Sequence, residues 1–145
     1  MLARVHDNSS ILKDTVKIDT TIGKDDHRKF RDQNWKVFGL KKLDKIRPMC
    51  AKYGMTPHQF ACKWLLQQSA LTSITATLLN EHEIKEAVES VGKPEIAHED
   101  MEWLASEYEQ DFGFGEDAHP CNLKSSTDPS GSLRSSYVPP PVFVA

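Results

Sequence analysis

The stretch Thr56-Pro57-His58-Gln59-Phe60-Ala61-Cys62-Lys63-Trp64-Leu65, followed by Ser73-Ile74-Thr75-Ala76-Thr77-Leu78 and then Asn80-Glu81-His82-Glu83, decides how this chain reads. Thr56 stands as an N-cap, Pro57 fills the first helical turn where its missing N–H is no loss, and Gln59 is placed to reach back. A helix is therefore predicted to start there, with Phe60, Ala61, Trp64 and Leu65 as its buried stripe. Residues 73–78 are rich in β-branched side chains after a polar break, which predicts a strand. Asn80 then caps a further helix, with Glu83 as its capping-box partner and Ile84, Ala87, Val88 and Val91 expected to face inward. Gly92 and Pro94 stop that helix.

Working outward, Leu2-Ala3-Arg4-Val5 is a short apolar run compatible with a buried strand. Residues 6–38 are polar and irregular, with a charge cluster at 24–31, and loops of that length usually serve a site or are disordered. Leu40, Leu43, Ile46, Met49, Cys50 and Tyr53 then recur at helical steps, with Gly54 at the C′ position. Pro48 inside that pattern predicts a kink or a boundary. A last helix over residues 98–112 is expected to bury Met101, Leu104, Tyr108 and Phe112, with Glu99 and Asp100 near its positive end. Beyond it, residues 113–145 form a Ser/Pro-rich tail that reads as flexible. Its stretch 137–143 is either a polyproline-type strip or a loose end.

At 145 residues the chain is one domain's worth of protein, and strand, loop, helices, strand and capped helix together read as consecutive βα units of an α/β fold. No apolar run is long enough to cross a bilayer and the first residues lack a signal peptide's pattern, so the chain reads as cytoplasmic, without a membrane partner. A net charge of −3 with dispersed Lys and Arg argues against a nucleic-acid partner. Cys50, Cys62 and Cys121 are an odd number without Cys-x-x-Cys spacing, which suggests neither a disulfide framework nor a thiolate zinc site.

Several segments together are similar to a known family. Asp25-Asp26-His27-Arg28, Trp35, Gly39-Leu40-Lys41-Lys42, Gly54 through Leu66, and Ser73-Ile74 leading to Asn80-Glu81-His82-Glu83-Ile84-Lys85-Glu86 resemble the last part of an aldo-keto reductase, in particular a bacterial and archaeal subgroup with a similar Asp-His-Arg loop. The resemblance covers residues 1–112. It implies a partial TIM (β/α)8 barrel: the last two βα units plus a C-terminal helix. A full barrel needs roughly 250 residues. The family reduces carbonyls with NADPH, using Asp, Tyr, Lys and His on earlier strands, and no matching motif stands here. The resemblance thus implies a C-terminal, cofactor-side fragment that is inactive alone, and whose partner is the missing N-terminal barrel portion or another copy of itself.

For the cofactor, NADP or NAD, the resemblance points to the loop at 6–12 and the helix start at 77–87, and so to Ser9, Ser10, Leu12, Thr77, Asn80, Glu83 and Glu86. A helix N-terminus attracts anions. Asn80 and Glu86 match the positions serving the phosphate edge and the adenine amino group. Glu83 falls where the family has Arg or Gln, Leu78 or Leu79 where it has Ser, and Ala87 where it has Asn. A carboxylate beside a 2′-phosphate repels it, which leaves NAD, or no nucleotide, open.

Plainer readings stand beside these. Capping alone accounts for Asn80 and Glu83, turn-making for Ser9 and Ser10, and packing for Trp35, Trp64, Trp103, Cys50 and Cys62. His58, His82 and His98 sit at first-turn or capping positions. Arg28 pairs with Asp25 or Asp26 as a surface contact, while metal chemistry at Asp26 and His27 is a third functional reading. The degraded cofactor positions also fit a non-enzymatic interaction module derived from a barrel.

Overall fold

The structure, a computed structural model, describes residues 1–31 and 33–114. The expectations for the tail beyond Phe114, including the strip at 137–143 and Cys121, lie outside the described residues. The fold is helix-rich α/β. Strands β1 (Leu2–Arg4) and β2 (Ser73–Thr75) pair in parallel, with Leu2 opposite Ser73, Ala3 opposite Ile74 and Arg4 opposite Thr75. Parallel neighbours require a crossover connection. Here it is built from α1 (Gln33–Lys52) and α2 (Pro57–Leu66), and α3 (Glu81–Val91) and α4 (His98–Glu109) follow β2. Both strands are shorter than expected, and β1 stops because Val5 turns to a positive φ of 53°.

Helix α1 starts well before Leu40, the first residue of the apolar pattern in the sequence. The stripe in fact runs Trp35, Gly39, Leu43, Ile46 and Cys50, and Gly39 hides it because a buried glycine counts as nothing in an apolar tally. Ile11 from the loop after β1 lies on Gly39 and joins Val16, Trp35 and Leu43 in a core, with Leu12, Leu40 and Ile46 against it. The Trp35 indole N–H donates to the Asn8 carbonyl and side-chain oxygens, both at 3.3 Å, which fixes loop to helix. Pro48 neither ends α1 nor divides it. It is exposed, and the stripe residues on either side of it hold the helix in two cores.

A methyl at Gly39 would stand inside the contact distance of the Ile11 Cδ1 atom. Gly39→Ala is expected to gain about 1 kcal/mol in helix propensity and to lose about 1–3 kcal/mol by overpacking, for a net loss of about 1 kcal/mol. Ile11→Val removes the clashing atom, so urea melts should show the double variant recovering stability relative to Gly39→Ala alone.

The second core joins α1, α2 and α4 through Cys50, Met55, Phe60, Ile96 and Leu104, with Met49, Tyr53, Trp64 and Met101 packed against it. Helix α2 carries the predicted capping box in full: Thr56 Oγ1 accepts from Gln59 N at 3.1 Å, and Gln59 Oε1 accepts from Thr56 N at 3.2 Å. In α4 Leu104 is buried as expected but Tyr108 is exposed, and α4 ends at Glu109. Asp111 and Phe112 take φ of 49° and 55°, which breaks the helical phase on which burial of Phe112 was predicted.

Helix α3 departs most from expectation. Ile84, Val88 and Val91 are exposed, while Glu83 and Ser90 are buried. The reason is that α3 docks on α2 through a polar seam: Gln59 Nε2 donates to the Glu86 carbonyl at 3.5 Å and to Glu89 Oε2 at 3.4 Å, and Lys63 Nζ donates to the Val91 carbonyl at 3.3 Å. Its apolar stripe is therefore turned outward. Among the described residues, no helix is long and apolar enough to cross a membrane.

Candidate functional site

The loop after β1 is held in a costly shape. Val5, Asn8, Ser9, Ser10 and Asp14 all have φ between 47° and 76°. Each such residue costs about 1–3 kcal/mol, and for a β-branched Val the conformation is a true outlier. Buried Asp7 organises the turn: its Oδ1 accepts from Ser9 N at 3.2 Å and its carbonyl accepts from Leu12 N at 3.0 Å.

From this loop Lys13 reaches the start of α3. Its ammonium donates to the Thr77 carbonyl at 2.6 Å and Glu83 Oε2 at 2.8 Å, and stands 3.4 Å from Asp7 Oδ2. The Lys13 side chain is 3% exposed. Glu83 also accepts from Leu79 N at 2.9 Å and from Asn80 Nδ2 at 3.1 Å, and Asn80 Oδ1 caps Glu83 N at 2.9 Å. The N-cap is thus as expected, but the Glu83 carboxylate bonds the amide of Leu79 rather than that of the cap. Burial pushes the Glu83 carboxyl up, while the bonds from Lys13, Leu79 and Asn80 outweigh it and hold it below its ordinary range. Two carboxylates share one ammonium, so the cluster stays net negative.

Of the residues the sequence nominated, Thr77 and Glu83 meet at Lys13, and Asn80 joins them through its bonds to Glu83. Ser9 and Ser10 shape the loop, with Thr15 Oγ1 donating to the Ser10 carbonyl at 3.3 Å. Leu12 packs on the core. Glu86 turns away from them toward α2, where it accepts from the Thr56 hydroxyl and lies 2.9 Å from His58 Nδ1. Lys13 went unread in the sequence because nothing local marks a partner seventy positions away.

A second polar assembly lies beside the first. His6, the residue after the strained Val5, places Nε2 at 2.8 Å from Nε2 of His58, with the rings stacked at 5.0 Å. His58 is completely buried and Cys62, one turn along α2, nearly so. Burial, and then neighbouring His58, lower the His6 pKa. Burial pushes the Cys62 thiol up to about 11. His6 Nδ1 is buried without a hydrogen-bond partner. The signal in the sequence was His58-x-x-x-Cys62, an i,i+4 pair on one helix face, hidden because by sequence Cys62 reads as a packing residue and His58 as a first-turn one.

The Asp25–Arg28 segment does less. Arg28 forks onto Asp26, Nε to Oδ1 at 3.0 Å and Nη2 to Oδ2 at 2.6 Å, and Asp26 caps the short helical turn His27–Phe30. His27 is instead placed edge-on against Phe30. Compared with known proteins, the chain matches no family model, no curated protein and no solved structure.

Proposed function

We propose that this chain is the C-terminal, cofactor-side part of an aldo-keto-reductase-like oxidoreductase, a partial (β/α)8 barrel taking a nicotinamide dinucleotide between the loop after β1 and the first turn of α3. The observation that carries this reading is the parallel ladder of β1 on β2, with the loop after one strand tied through Lys13 to the helix after the other. Neighbouring staves of a barrel have that relation. The outward stripe of Ile84, Val88 and Val91 supports it further, since a barrel helix with its neighbours missing leaves apolar surface uncovered. The same stripe supports the second reading, a non-enzymatic interaction module.

The charge at the helix start selects the cofactor. With Lys13 already held by Glu83, a 2′-phosphate there meets a net negative cluster, and each like charge near a surface costs on the order of 1 kcal/mol or more. NADH is therefore expected to bind about tenfold tighter than NADPH. Tryptophan quenching and calorimetric titration measure this, on the chain alone and mixed with the preceding barrel units. Saturable NADH binding, with NADH consumed by the mixture in the presence of an aldehyde, supports the oxidoreductase reading. Absence of dinucleotide binding in both samples, with a stable oligomer formed through the α3 stripe, favours the interaction module.

A further inference from the structure

We propose that His6, His58 and Cys62 form a site for a transition-metal cation of the zinc class, with Glu86 orienting one of its ligands. Among the described residues this is the one group of three metal-ligating side chains brought together, with ligand atoms all within 4.8 Å of one another. They come from separate parts of the fold: His6 from the loop after β1, and His58 and Cys62 from successive turns of α2. Two nitrogens and one sulfur are a borderline-soft donor set, which suits zinc and its neighbours and disfavours magnesium or calcium.

The detail beyond that count is what points to a cation. Glu86 lies 2.9 Å from His58 Nδ1, which commits that nitrogen to a proton and leaves Nε2 as the lone-pair donor. Carboxylate, histidine and metal in that order are a recurring way of fixing a ligand's tautomer and raising its basicity. The His58 Nε2 then accepts from His6 Nε2–H at 2.8 Å, a contact that a cation would replace by binding both nitrogens.

Binding would form two metal–nitrogen bonds and one metal–sulfur bond. Cys62 gives up its thiol proton to solvent, His6 moves its proton from Nε2 to Nδ1 by exchange with solvent, and both imidazoles coordinate as neutral ligands through Nε2. Three protein ligands leave a fourth position for water, the pattern of an open rather than a closed zinc site.

The test uses the full chain, stripped with chelator and titrated with Co2+ and then Zn2+. One equivalent of Co2+ should produce a sulfur-to-cobalt charge-transfer band, and Zn2+ should displace it. Cys62→Ala abolishes the band, and Cys50→Ala and Cys121→Ala leave it intact. His6→Asn weakens binding at least about tenfold, and Glu86→Gln weakens it about 10–100-fold while keeping the band. Substituting the fully buried His58 would disturb the fold as well as the site, so the proposal stands on the Cys62 and His6 variants. It is overturned by the absence of a sulfur band at one equivalent, by a band that survives Cys62→Ala, or by one that disappears with Cys50→Ala.

Discussion

Lys13→Met is expected to cost the fold about 3–5 kcal/mol, because it leaves the Glu83 carboxylate buried without its cation. Lys13 and Glu83 lie 2.8 Å apart with side chains 3% and 10% exposed, so neither can find water instead. Urea unfolding at neutral pH reads the loss. The double variant Lys13→Met, Glu83→Leu should recover most of it, since a well-packed apolar pair often replaces a buried ion pair at no net cost. The pH dependence follows from the depressed Glu83 carboxyl. The stabilisation it brings is fully present above the ordinary carboxylate range and is lost as pH falls through its lower folded value. In Lys13→Met only the bonds from Leu79 and Asn80 still oppose burial, so the carboxyl rises and the variant's deficit should shrink on acidification. A loss below 1 kcal/mol at neutral pH would mean that the lysine does not hold this corner together.

Phe60→Ala is expected to cost about 3–5 kcal/mol. The ring is 2% exposed at the centre of the core shared by α1, α2 and α4, and its centroid lies 6.1 Å from that of Tyr53. Phe60→Leu nearly conserves volume and should cost less than about 1.5 kcal/mol. Thermal melts of the two variants separate a cavity effect from a general intolerance of change: similar losses for both would contradict the packing argument. Because Phe60 lies on the same helix as His58 and Cys62, the Leu variant should keep the cobalt band while the Ala variant weakens it.

Local signals in the sequence located the elements better than their faces. Thr56, Pro57 and Gln59 placed the start of α2, and Asn80 that of α3, because capping is chemistry among neighbours. The parallel relation of the two strands followed from the order of elements. What escaped was set by distant partners. Gly39 concealed the first turns of α1, since its value lies in the room it leaves for Ile11. The α3 stripe of Ile84, Val88 and Val91 has a helical period that any reader would turn inward. The polar seam with Gln59 and Lys63 turns it outward instead. His58 read as a first-turn residue, and only the return of the chain at His6 and Glu86 makes it the middle of a buried relay.

The ladder between β1 and β2 spans only Leu2–Arg4, and a pair of such short strands is marginal in water. Just past its end, His6 grips His58 across fifty-two positions of chain. This contact acts as a clasp, anchoring the N-terminal segment to the helical body where the backbone pairing gives out. An ion gripped there would cross-link the two segments and shrink the freedom of the unfolded chain in the manner of a staple. Metal would then tighten a hold that the His6–His58 contact already gives the first strand, so a depleted cell would keep this protein with a looser clasp.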